Sequence, residues 1–183
     1  MKKIRQIIPC LIGGIIGIFL VGIVNLSLEP KPGITYNCDG QDKELIKEYL
    51  AYNDEKVMTL LGLYNTTINV KDVVYSNDGN ECFGYIQMSN RVITLDLEDG
   101  EIESTLNHEI GHFIDYEYTD ITLSLQDDFC DIWKKELGFF EDYHAGCSTE
   151  CFAQSYKYYI EGNEDFKKEC PGLWEYMDKL LKG

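Results

Sequence analysis

The run HEIGHFID, residues 108–115, places two of the chain's three histidines four residues apart with a glutamate between them. At 3.6 residues per turn, His108, His112 and Asp115 fall along one stripe of a helix. Two imidazoles at that spacing can hold one Zn2+ together, and Glu109 stands beside them as a general base for a zinc-activated water. Asp115 is placed to accept a hydrogen bond from a ligand histidine and so fix its tautomer. Leu106, Ile110, Phe113 and Ile114 supply apolar flanks on both sides of the stripe. Those flanks argue for a packed helix rather than a solvated one on which two histidines meet by accident. The chemistry that this pattern supports is metal-assisted hydrolysis of an amide bond.

A zinc site of this kind needs a third protein ligand. The extension H-x-x-G-x-x-H would require glycine at 115 and histidine at 118, where this chain has Asp115 and Tyr118, so that class is excluded. Downstream acids are Asp127, Asp128, Asp131, Glu136, Glu141, Asp142 and Glu150, and the remaining histidine is His144. Glu150 is the preferred candidate, followed by Asp128 and His144. It opens the helical run STECFAQSYKYYIEG, where Glu150, Ala153 and Lys157 share a face. A small alanine one turn after the glutamate lets that helix come close to the metal helix.

The elements that must position these residues follow from periodicity. Leu45, Ile46, Tyr49 and Leu50 fall on one helical face, and a second helix is predicted over residues 56–63. Four short β-rich runs follow: TINV (67–70), VVYS (73–76), CFGYIQM (82–88) and RVITLDL (91–97). Between them lie the turn residues of hairpins. After Asp99-Gly100 the pattern is helical to the end, with breaks near Gly138, Gly146, Gly162 and Pro171-Gly172. Strands first and helices after predict an α+β domain.

The 183 residues amount to about one domain, and 44% hydrophobic content is enough for a core. The N-terminus is of a different kind. MKKIRQ precedes a run of 22 uncharged residues, IIPCLIGGIIGIFLVGIVNLSL, long enough to cross a bilayer as a helix. The cations before it and Glu29 after it orient the N-terminus inside and the rest outside. The expected organisation is a cytoplasmic N-terminus at 1–6, a transmembrane signal anchor at 7–28, a linker at 29–40 and a zinc metallopeptidase domain at 41–183. A signal peptide cleaved to give a secreted form is the alternative. Beyond Leu28 stand thirteen cations against 32 acids, net −19, which would repel nucleic acid. The partners expected are therefore a peptide or protein substrate, and the membrane through the N-terminal helix. Six cysteines (Cys38, Cys82, Cys130, Cys147, Cys151, Cys170) lie in the part expected outside the cell, an even number that predicts disulfides.

HEIGHFID followed some 38 residues later by ECFAQSYKYY resembles the gluzincins of the anthrax lethal factor-like group, to which the Pro-Pro endopeptidases also belong. The shared pattern is H-E-x-G-H-x-x-D on one helix and E-x-F-A opening another, with a tyrosine seven residues before that glutamate. The resemblance implies a zincin-like α+β fold: a small N-terminal sheet, the HExxH helix and a helical C-terminal part. It implies zinc ligands His108, His112 and Glu150, base Glu109, and Tyr143 as the donor to the oxyanion. RVITLDL would be the edge strand that holds an extended substrate. The chain departs from the pattern at Gln154, where the group often has an acid, and in Cys147 and Cys151, which bracket Glu150.

The function that follows is an extracytoplasmic zinc-dependent endopeptidase. Three rivals remain: a structural metal cluster built from His144 and cysteines, an inactive binding protein that keeps the fold, and a zinc hydrolase of cell-wall peptides. The topology has a direct check. The full chain, expressed in an exporting host, should sediment with membranes and resist alkaline extraction. A soluble mature form beginning near Glu29, with no membrane-bound form, would refute the anchor.

Overall fold

In the computed structural model, residues 33–96, 101–140 and 146–183 are described. The expected anchor at 7–28 lies outside the described residues, and so do Tyr143 and His144. Among the described residues no helix is long and apolar enough to cross a membrane. Gly33–Gly183 forms one compact unit.

Short acceptor side chains start the first two helices. Strand β1 (Thr35–Asn37) is followed by Asp39, whose carboxylate accepts from Gln41 N and Asp42 N and opens α1 (Gly40–Leu50). Asp54 does the same for α2 (Glu55–Leu63) through Lys56 N. Strands β2 (Thr67–Lys71), β3 (Val74–Tyr75), β4 (Glu81–Cys82), β5 (Gly84–Gln87) and β6 (Val92–Asp96) follow. The rest is helical: α3 (Ile102–Glu117), a 3-10 turn (Leu123–Leu125), α4 (Asp127–Glu136), a second 3-10 turn (Leu137–Phe139), α5 (Ser148–Ile160), α6 (Glu164–Glu169) and α7 (Pro171–Lys182). The predicted α+β class and the helical C-terminal part are both present.

Among the described residues the strands make a four-stranded sheet in the order β1-β2-β6-β5, and β3 and β4 form a separate hairpin. The β3–β4 turn contains Gly79 at φ 83°, a left-handed conformation that glycine adopts without strain. The β5–β6 pair is antiparallel, with Tyr85 opposite Thr94, as the hairpin pattern predicts. Two features differ from the sequence expectation. The stretch read as a linker at 29–40 contributes β1, which lies parallel to β2. In turn, β2 lies parallel to β6, so RVITLDL is interior and β5 is the edge. Parallel pairing needs a long crossover, and α1 and α2 supply it between β1 and β2. Such partners are far apart in sequence, and local alternation does not show them.

Helix α3 is held from two sides. It packs against β5 and β6 on one side and against α5 on another. Leu106, Ile110, Phe113 and Ile114 are all fully buried, as their flanking positions predict. Phe152 and Tyr156 of α5 join them, each worth about 1.5–3 kcal/mol when removed from water. Tyr156 donates to Asn53 Oδ1 at 2.6 Å, and Asn53 Nδ2 donates to Asn107 Oδ1 at 3.3 Å. This buried chain links the α1–α2 turn to both site helices. The Glu136 carboxylate accepts from Gly172 N and Leu173 N at 2.9 and 3.0 Å, so this acid caps α7 and is not a metal ligand.

At Gly111 the two site helices meet most closely. A Cβ there would stand 2.7 Å from Ala153 Cα and 2.8 Å from Ala153 O. The small Ala153 thus allows the close approach expected of it, and Gly111 is its counterpart. Gly111→Ala gains about 1 kcal/mol in helix propensity. It also drives a methyl into backbone that cannot rotate away, and overpacking costs about 1–3 kcal/mol. The variant should therefore unfold at lower denaturant concentration than the parent and bind zinc less tightly. An unchanged unfolding midpoint would show that the helices separate without penalty.

Candidate metal centre

Helix α3 presents His108 and His112 from successive turns, with their ring centroids 4.9 Å apart, and α5 brings Glu150 against both. His108 Nε2 lies 3.3 Å from Glu150 Oε2, and His112 Nε2 lies 3.5 Å from Glu150 Oε1. All three residues offer ligand atoms within 4.8 Å of one another. In a tetrahedral zinc site with bonds of about 2.0–2.2 Å, neighbouring ligand atoms stand roughly 3.3–3.6 Å apart. The donor set of two imidazoles and one carboxylate, at these separations, fits Zn2+. It is also the metal-capable grouping found among the described residues, and no cysteine belongs to it. Of the other third-ligand candidates, Asp128 accepts from Phe129 N at 2.8 Å. Glu136 caps α7, and His144 is not described.

Burial by itself would raise the Glu150 carboxyl. The hydrogen bonds and electrostatic pull of His108 and His112 outweigh it and hold the group well below the usual carboxylate range. A carboxylate ligand must be ionised, so this environment suits binding.

Glu109 is in the opposite condition. It is 5% exposed, and burial pushes its carboxyl up to about 7; His108 and the Ile86 N–H oppose that rise, and Glu150 adds to it. The Ile86 contact identifies what faces Glu109. Asp96 N donates to Phe83 O at 2.8 Å, so Phe83 turns its carbonyl toward β6. Alternate residues of an antiparallel edge strand turn the other way, which leaves Gly84 and Ile86 facing outward. A Cβ on Gly84 would stand 3.2 Å from Glu109 Oε1 and would collide with the Thr105 methyl. The absence of a side chain at Gly84 therefore lets the strand lie directly on Glu109. No sequence pattern singled out Gly84 or Ile86.

Asp115 makes its hydrogen bonds to the turn that follows α3. It is fully buried, and its two oxygens accept from Ser124 N at 2.6 Å and Ser124 Oγ at 2.7 Å. Burial raises its carboxyl, while the Ser124 bonds and His112 pull it down. Its work is to fasten the turn after α3 to that helix. The group that meets a ligand histidine is Gln154, whose Oε1 lies 3.1 Å from His108 Nδ1. It stands four residues after Glu150 on the same helix, at the position where the chain departs from the group's acid. Tyr143, implied by resemblance as the oxyanion donor, lies outside the described residues.

The expected disulfides are not formed. Cys38, Cys82, Cys130, Cys147, Cys151 and Cys170 are free thiols. Three of them bond to backbone carbonyls instead: Cys82 to Val74, Cys130 to Ser124 and Cys170 to Glu136. Burial pushes both the Cys151 and the Cys170 thiol up to about 12, as befits small apolar core residues. An even count of cysteines carries no information about their spatial pairing.

An open cleft of about 1260 Å³ runs along β5 over His108, Glu109, His112 and Glu150. Its walls include Phe83, Tyr85, Tyr116, Phe139, Phe140 and Tyr158. Phe83 is 65% exposed, which leaves an aromatic face for a bound chain.

Comparison with known proteins agrees with this geometry. No curated protein sequence matches the chain. Among solved structures, the PRO-PRO endopeptidase (PPEP-2) from Paenibacillus alvei shares the fold. Its TM-score is 0.65 at 17% identity, over 80% of this chain and 96% of that one. A family model described as anthrax toxin lethal factor, N- and C-terminal domain, matches residues 43–180, a span that contains both site helices and the sheet edge. The chain belongs to the anthrax toxin lethal factor domain family.

Proposed function

We propose that the protein is a zinc-dependent endopeptidase of gluzincin type, with its catalytic domain outside the cytoplasm. The observation that carries the catalytic part is the triplet His108, His112 and Glu150 at zinc-ligand spacing. Glu109 lies buried beside it, and the outward edge of β5 lies above. The glutamate ligand, in place of a third histidine, makes the type gluzincin. The topology rests on the cationic start and the 22-residue apolar run.

Zn2+, when bound, supplies a Lewis acid that polarises a carbonyl and makes a water acidic near neutral pH. The chain's own groups do the rest. The edge of β5 pairs with an extended peptide as an added strand, through outward groups that the sheet leaves open. Glu109 takes a proton from the attacking water and returns it to the leaving amine; a raised carboxyl suits both directions. Tyr143 donates a hydrogen bond to the tetrahedral oxyanion. The aromatic walls of the cleft hold side chains of the substrate and exclude water.

Incubation of the purified protein with a peptide library, with and without chelator, tests the reaction and reads out the substrate. Glu109→Gln should keep one zinc per chain and lose on the order of 10²–10⁴-fold in kcat. His108→Ala, His112→Ala and Glu150→Ala should each lose zinc as well as activity. Full zinc occupancy and turnover in Glu150→Ala would remove the third ligand from the reading. A parent protein that binds zinc but cleaves nothing in the library would favour the inactive binding protein.

Tyr143→Phe keeps the aromatic body and deletes the donor. It should leave zinc affinity and KM nearly unchanged and lower kcat on the order of 10²–10³-fold. A normal kcat would show that the phenol is not the oxyanion donor.

A further inference from the structure

A histidine that offers its Nε2 lone pair to a metal carries its proton on Nδ1, and that proton needs an acceptor. For the Nδ1 of His108, Gln154 Oε1 is in reach at 3.1 Å. Gln154 is 5% exposed and stands one helical turn after Glu150, so one helix supplies both a ligand and the group that orients a ligand. The close approach of Gly111 and Ala153 places Gln154 at that distance, since Ala153 is its neighbour in the chain.

The residue type matters as much as the position. A carboxylate accepts only, whereas an amide has an acceptor at one end and a donor at the other. Rotation of the Gln154 amide by half a turn would present its NH2 to a bare Nδ1. Nε2 of His108 would then carry the proton and face Glu150 Oε2, 3.3 Å away. An amide therefore serves His108 in both tautomers, with and without metal. A carboxylate would serve only the metal-binding tautomer, and it would add a negative charge that attracts the cation.

We infer that Gln154 is the positioning residue for ligand His108, and that its neutral amide holds the metal less tightly than a carboxylate in the same place would. The inference rests on the reading of His108, His112 and Glu150 as a zinc site. The experiment is competition for Zn2+ between the protein and a chromophoric chelator, with the fold of each variant checked by circular dichroism in excess chelator.

Gln154→Leu deletes the acceptor and should weaken zinc binding on the order of 10–100-fold in folded protein. Gln154→Glu keeps the size and the acceptor and should tighten it on the order of tenfold or more. A folded Gln154→Leu protein with parental zinc affinity would show that Gln154 only packs. A Gln154→Glu protein that binds zinc no more tightly than the parent would overturn the role of the neutral amide, and this variant decides the matter if Gln154→Leu fails to fold. A parent that binds no zinc overturns the metal centre itself, an outcome distinct from either variant result.

Discussion

Between Gly111 and Ala153 the backbones of α3 and α5 run so close that no Cβ fits on the glycine, and the positions of the site residues follow from that crossing. A side chain at 111 would have to displace main-chain atoms, which are fixed by the helix they belong to. One turn away on α3 is His108, next along is His112, and on α5 Glu150 and Gln154 flank the alanine on either side. Pushing the helices apart by the width of a methyl group would open the separations of 3.3 and 3.5 Å between the imidazoles and the carboxylate. Zinc bonds vary by a few tenths of an ångström, so the site has little tolerance for such a shift. The glycine of HEIGH is therefore part of the metal centre although it touches no metal.

The same crossing sorts two carboxylates into opposite conditions. Glu150 faces two imidazoles and is held ionised. Glu109, its neighbour across the site, faces strand β5 and the interior, and burial raises it to about 7. Groups whose environments push them apart in this way are suited to different tasks, one to bind a cation and the other to move a proton. Here the difference comes from direction. Successive residues of a helix point about 100° apart, so His108 turns toward α5 while Glu109 turns toward the sheet.

The sheet contributes through its edge. β5 is short and antiparallel to β6, and its outward groups at Gly84 and Ile86 lie on Glu109. The interior strand β6 gives β5 its register, and the parallel strands β2 and β1 behind it complete the layer on which α3 rests. The edge, Glu109 and the metal-capable residues are thus fixed to one rigid frame, which holds their separations constant.

The amino-acid sequence by itself determined the local things. HEIGH fixes a helix with two imidazoles on one stripe, and that helix runs Ile102–Glu117. Apolar spacing identified Leu106, Ile110, Phe113 and Ile114 as core, and E-x-F-A identified both Glu150 and the small residue that lets α5 approach. These are legible because side chains three and four apart on a helix must share a face. Only the tertiary structure decided the rest. RVITLDL is an interior strand because its parallel partner β2 lies 25 residues upstream, and no local pattern encodes that pairing. Asp115 bonds to Ser124 because the chain turns back after α3 and puts that serine against it. The six cysteines after the N-terminal apolar run are even in number yet unpaired, since pairing depends on where distant segments end up. Gln154 meets His108 through a contact between residues 46 apart in the chain, which forms only when α3 and α5 cross. Chemistry carried by one helix can be read from its own residues; chemistry that needs two elements waits on how they pack.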